Sequence, residues 1–108
     1  RIAIANPETA PYGLAAQKAL EAQGLWSTMA QRFLYAQSVS QSFQFAQKGG
    51  ADAAFTSLSF ALSPKSKIGC FWDIPEAPDV VQGACILRRG NAQRYSKRLL
   101  EFITSKEA

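Results

Sequence analysis

Ile2-Ala3-Ile4-Ala5-Asn6-Pro7-Glu8-Thr9-Ala10-Pro11-Tyr12-Gly13 is the stretch that decides the fold. Its first residues form a short apolar run backed by turn formers, which predicts a buried strand over Ile2–Ala5. Asn6-Pro7 turns the chain, and Pro11 suits the first turn of a helix reaching about Gln23. Leu14, Ala15, Ala19 and Leu20 give that helix an inward side, and Gly24 ends it. A strand end and a helix start therefore meet at one spot. Unpaired backbone N–H groups and the positive end of the helix dipole gather there, which suits an anion. An ordinary strand-to-helix connection is the plainer alternative.

The same alternation continues outward. Leu25–Gln31 is a short helical turn with Trp26 and Met29 as packing residues, and Arg32–Tyr35 is a second strand. Ser38, followed three residues later by Gln41, forms a capping-box pattern that opens a helix running to about Lys48. Val39, Phe43, Phe45 and Ala46 turn mostly inward, and Gly49-Gly50 stops the helix. Asp52–Thr56 is a third strand, and Ser57–Leu62 is a brief helix broken before Pro64. Lys67–Asp73 and Val80–Arg88 are expected as fourth and fifth strands, separated by a loop at Pro75 and Pro78. Asn91 caps a last helix whose inward residues are Tyr95, Leu99, Phe102 and Ile103.

Strands alternating with helices imply an α/β domain with a parallel sheet, right-handed crossovers and three layers. The ligand crevice of such a sheet lies at the carboxyl ends of its strands. Three turns meet that edge: Asn6–Gly13, Ala36–Val39 and Thr56–Ser59. None carries a cationic side chain. Hydroxyls, amides and backbone N–H groups remain, and these hold an anion by hydrogen bonds without a formal counter-charge.

Composition narrows the chemistry. The chain has 108 residues, 47% of them hydrophobic, with seven Phe and two Trp, enough to form one small core. It starts at Arg1, directly on a strand, and is expected to be a processed or truncated piece of a longer protein. Histidine is absent, which removes Ser-His and Cys-His nucleophile pairs and most zinc sites. Glu8 and Asp73 have no carboxylate partner at catalytic spacing. Cys70 and Cys85 lack metal-ligand spacing and are expected as buried small hydrophobes, with a bridge between neighbouring strands as the alternative. No apolar run approaches the roughly 18 residues of a membrane helix. The net charge is +4. Arg88, Arg89, Arg94, Lys97 and Arg98 cluster, but no nucleic-acid recognition motif appears, so they are read as a solvated helix face and nucleic acid is not expected as a partner.

At this point the residues resemble a known family. Ala5-Asn6-Pro7-Glu8-Thr9-Ala10-Pro11-Tyr12-Gly13 is similar to the signature of periplasmic molybdate-binding proteins of ABC transporters. Ala19-Leu20-Glu21, Gly24-Leu25-Trp26, Val39, Gly50-Ala51-Asp52-Ala53-Ala54-Phe55 and Gln82-Gly83-Ala84 extend the similarity over nearly the whole chain. The resemblance implies one lobe of a two-lobe binding protein. Residues 1–79 would be the ligand-binding α/β lobe, and 80–108 a return strand and helix crossing back to a missing N-terminal lobe. It further implies capture of molybdate or tungstate in the periplasm, delivery to the membrane permease of an ABC importer, no catalysis, and neither cofactor nor metal site.

Carried over position by position, the resemblance assigns backbone N–H donors to Tyr12 and Val39. Ser57 falls where some members place a tyrosine whose hydroxyl reaches the anion, and its shorter side chain is a departure. Ser38 and Gln41 support the site as helix caps. The alternatives are a binding protein for another small anion and the effector-sensing half of a transcription regulator. A hydrogen bond to a charged group contributes about 1.5–3 kcal/mol. Losing two or three donors with the other lobe costs ~3–9 kcal/mol, or about two to six decades of affinity. The isolated piece is therefore expected to bind molybdate poorly. Its unpaired return strand invites a homodimer.

Overall fold

The computed structural model describes residues 1–67, 69–88 and 92–107. Strand β1 (Ile2–Ala5) lies at the centre of a three-stranded parallel sheet, between β2 (Phe33–Ala36) and β3 (Ala53–Ala54), in the order β2-β1-β3. The register sets Ile2 beside Phe33 and Ala5 beside Ala36 on one side, and Ile2 beside Ala53 on the other. Flanking bonds from Asp52 N–H to the Arg1 carbonyl and from Phe55 N–H to the Ala3 carbonyl, both 2.9 Å, extend the β3 contact past its two assigned residues.

Helix α1 (Pro11–Ala22) joins β1 to β2, and α3 (Val39–Gln47) joins β2 to β3. The two connections run to opposite sides of β1, so right-handed crossovers place the helices on opposite faces of the sheet. Burial agrees with this. Ala3 and Ile4 point to opposite faces and both are fully enclosed. The core consists mainly of small residues: Ala15, Ala16, Ala19 and Leu20 from α1, Ala3, Ile4 and Ala5 from β1, and Ser42 from α3. Aromatic pairs pack beside it. Trp26, in α2 (Trp26–Met29), stacks on Phe33 at 4.9 Å between ring centroids, and Phe43 stacks on Phe60 at 5.2 Å.

Both long connecting helices end in the same way. Gly24 N–H bonds the Glu21 carbonyl and Leu25 N–H the Leu20 carbonyl; Gly49 and Gly50 repeat the pattern on Ala46 and Phe45. Such an ending needs a left-handed residue, and Gly24 and Gly49 supply it at φ 67° and 76°.

Beyond Ala61 the sequence expectations fail in part. All buried residues among those described lie between Ala3 and Ala61. Neither Gly69–Asp73 nor Val80–Arg88 forms a strand. Both runs are apolar enough for one, but an edge strand forms only on a partner, and no ladder reaches them here. Helix α5 (Gln93–Ile103) forms as expected, opened by Ala92; the expected cap at Asn91 lies outside the described residues. Its inward side was misassigned, because Tyr95, Leu99, Phe102 and Ile103 are 53–70% exposed. Periodicity shows that a helix has an apolar side, not that its partner is present. Cys70 and Cys85 are exposed, not buried, for the same reason. The radius of gyration is 16.8 Å, against ~13 Å for a compact chain of this length.

Candidate functional site

Parallel pairing puts the carboxyl ends of all three strands on one edge, so the segments that leave them converge there. Order β2-β1-β3 also places a topological switch between β1 and β3, where α/β sheets bind ligands. α1 opens after Ala10, α3 after Ser38, and the short α4 (Leu58–Ala61) after Ser57.

Asn6 shapes the first turn. Its N–H bonds the Ala36 carbonyl at 2.8 Å, which ties the exit of β1 to the end of β2. Its carbonyl accepts from Thr9 and Ala10, and its Oδ1 accepts from Glu8 N–H at 3.0 Å. This Asx turn delivers the chain to Pro11. Gly13 then lets α1 approach the end of β1 very closely: a Cβ there would stand 1.9 Å from the Ala5 carbonyl oxygen.

The α1 opening has no side-chain cap. Its first intrahelical bond in the turn runs from Leu14 N–H to the Ala10 carbonyl. Tyr12 and Gly13 N–H groups thus have no acceptor among the described residues. The α3 opening is capped. Ser38 Oγ accepts from Gln41 N–H at 3.1 Å. Gln41 Oε1 returns to Gln37 N–H at 2.7 Å, one residue earlier than a standard capping box. That pair serves Gln41 and Gln37, while Val39 and Ser40 N–H groups have no acceptor among the described residues. The two expected backbone donors, Tyr12 and Val39, therefore both sit at helix openings on the same edge of the sheet.

Ser57 is placed differently from a ligand-facing side chain. It is 5% exposed. Its Oγ accepts from Phe60 N–H at 3.4 Å and shares a hydrogen bond of 2.9 Å with Ser59 Oγ. Its observed work is capping α4. Sequence reasoning missed its neighbour. Thr56 Oγ1 is enclosed and has no hydrogen-bond partner. The signal was a hydroxyl closing the otherwise apolar run Ala53-Ala54-Phe55. Ser42, read only as part of a helix, is fully buried and donates to the Phe55 carbonyl at 2.8 Å.

Electrostatically the edge is set by peptide dipoles. No Lys or Arg belongs to its three turns, and Glu8 is exposed. Two cavities border the Asn6–Gly13 turn. One, of about 220 Å³, falls between α1 and Pro78–Val81; the other, of about 340 Å³, is bounded by Asn6–Glu8, Gln17, Trp26 and Tyr35. Tyr12, Val39 and Ser57 line neither of these two.

The chain is similar to known proteins. Residues 1–108 match the family described as bacterial extracellular solute-binding proteins. The molybdate-binding protein ModA of Rhodobacter capsulatus is 30% identical over 109 residues, which cover 99% of this chain and 42% of that protein. ModA of Azotobacter vinelandii is 31% identical over 110 residues, covering 99% and 44%. The solved structure of an Azotobacter vinelandii periplasmic molybdate-binding protein superposes with a TM-score of 0.82 at 28% identity, covering all of this chain and 49% of that one. The chain thus spans a little under half the length of these relatives.

Proposed function

This chain belongs to the bacterial extracellular solute-binding protein family, and we propose that the molecule it forms part of captures molybdate, or the similar tungstate, for an ABC importer. The observation that carries this is the convergence of unpaired N–H groups at the openings of α1 and α3 on one edge of the sheet. A tetrahedral dianion only accepts hydrogen bonds. Neutral donors surround it without a counter-charge, and cavity size then sets selectivity. That the relatives are named molybdate-binding proteins supports molybdate as the anion.

In this reading Tyr12 and Val39 N–H groups face the oxyanion. Ser38 and Gln41 hold the α3 opening in place, and Ser57 acts through the α4 cap or a shared hydroxyl network. A second lobe outside the chain closes over the anion and completes its donors, as domain closure around a ligand requires. Residues 1–79 form the binding lobe, and 80–108 return to the other lobe, which covers the apolar side of α5. The molecule works in the periplasm, docks on the importer's membrane permease, and makes or breaks no bond. In the isolated chain the uncovered return segment takes up a second copy.

Titration calorimetry of the two-lobe molecule and of the 108-residue chain with molybdate, tungstate, sulfate and phosphate tests this. Tight molybdate and tungstate binding is expected for the first, and binding weaker by about two to six decades for the second. Submicromolar affinity in the isolated chain contradicts the shared site. Preference of the two-lobe molecule for sulfate or phosphate assigns it to another anion, an outcome that the engaged Ser57 hydroxyl makes worth measuring.

A further inference from the structure

We propose that the Thr56 hydroxyl is a further donor to the anion: it is turned inward without a partner here, and a rotation about χ1 carries it onto the oxyanion. The inference rests on the oxyanion reading above. Thr56 lies at the carboxyl end of the sheet. Phe55 N–H bonds the Ala3 carbonyl at 2.9 Å, which continues the Ala3–Ala54 pairing and sets Thr56 beside Ala5. Ala5 is the residue that α1 approaches through Gly13. On its other side Thr56 follows Phe55, whose carbonyl takes the Ser42 hydroxyl of α3, and precedes Ser57, which opens α4. The residue therefore stands at the β1–β3 switch, among the three segments that build the site.

Its hydroxyl differs from those around it. Ser42, Ser57, Ser59, Ser63 and Ser66 all have hydrogen-bond partners. Thr56 Oγ1 is enclosed and has none among the described residues. An enclosed hydroxyl without an acceptor costs stability, and a methyl group of the same shape would not. The cost is offset where a second rotamer meets an acceptor. Thr56 as a whole is only half-buried, and extended backbone admits two χ1 rotamers. A tetrahedral dianion accepts hydrogen bonds and donates none, so it suits a lone O–H donor, and its charge strengthens the bond.

Thr56→Val keeps the side-chain shape and removes the donor; Thr56→Ser keeps the donor. Both are made in the two-lobe molecule. Titration calorimetry with molybdate, tungstate, sulfate and phosphate gives affinity, and thermal denaturation without anion gives stability. Thr56→Val is expected to lose about tenfold to a hundredfold in affinity for the preferred anion. Its melting temperature should stay equal or rise by up to about 4 °C, because an unsatisfied hydroxyl has gone. Thr56→Ser should keep affinity within about threefold. A threonine that only supports the fold would not move affinity and stability in these opposite senses. Thr56→Val that binds like the unaltered molecule overturns the proposal and leaves the oxyanion reading intact. Thr56→Val that melts lower shows a hydroxyl bonded within the fold, and also overturns it. An unaltered two-lobe molecule that binds none of the four anions overturns the reading itself, and this proposal with it.

Discussion

Ser42 Oγ donates to the carbonyl oxygen of Phe55 at 2.8 Å, and this single bond ties the first turn of α3 to the end of β3. The serine is fully buried, so the bond has no competing water. It fixes the Val39 opening relative to the Thr56-Ser57 exit, two of the three segments that build the candidate site.

Ser42→Ala is expected to destabilise the fold by about 1–3 kcal/mol, because the Phe55 carbonyl loses its buried donor. Urea denaturation measures this. A change within ~0.3 kcal/mol would mean that α3 and β3 are held by packing alone.

Gly13→Ala and Gly49→Ala are expected to differ in severity. At Gly13 the added methyl would stand 1.9 Å from the Ala5 carbonyl oxygen, and backbone on both sides must move. A loss of about 3 kcal/mol or more follows. At Gly49 nothing lies near the new methyl, and only the positive φ of 76° resists it, for about 1–2 kcal/mol. Thermal denaturation should rank the two in that order.

Val39→Pro deletes one N–H group while leaving its helix intact. Proline is well suited to the first helical position, and Ser38 before it is already extended at φ −148°, ψ 162°. The two-lobe molecule should keep its melting temperature and lose about tenfold to a hundredfold in molybdate affinity, the worth of one hydrogen bond to a charged group. Unchanged affinity would remove Val39 from the site.

Ser38→Ala should cost about 0.5–2 kcal/mol of stability through loss of the α3 cap. Ser38→Asp should restore the cap and still weaken binding of a dianion, by placing a negative charge beside the α3 opening. Calorimetric titration and melting of the same pair separate capping from ligand proximity.

Leu99→Glu with Phe102→Glu should leave the stability of the isolated chain within about 0.5 kcal/mol, since both side chains are more than half exposed. Light scattering should show the unaltered chain as a dimer and this variant as a monomer.

The legible part of the fold was the part governed by local chemistry. The Asn6 turn, the Ser38 and Gln41 capping pair and the Gly24 and Gly49 endings follow from bonds made within a few residues, and β1 from a short apolar run closed by turn formers. Tyr12 and Val39 could be placed on one edge because strand–helix alternation dictates where helices start. The illegible part depends on what lies across from it. Val80–Arg88 and α5 show apolar patterning without a partner to define strand or inward side, and Cys70 and Cys85 inherit their exposure from that segment. Thr56 and Ser42 went unread because a single hydroxyl in an apolar run does not announce whether it is satisfied.

The donors at the edge are main-chain groups, and this has a consequence for how such a site changes over generations. An amide belonging to the peptide link survives nearly every codon change; replacement by proline is the exception. Under the proposed reading, in which the Tyr12 and Val39 amides hold the anion, inheritance can vary both side chains freely, and new ligand preferences should arise by resizing the cleft, not by exchanging its donors.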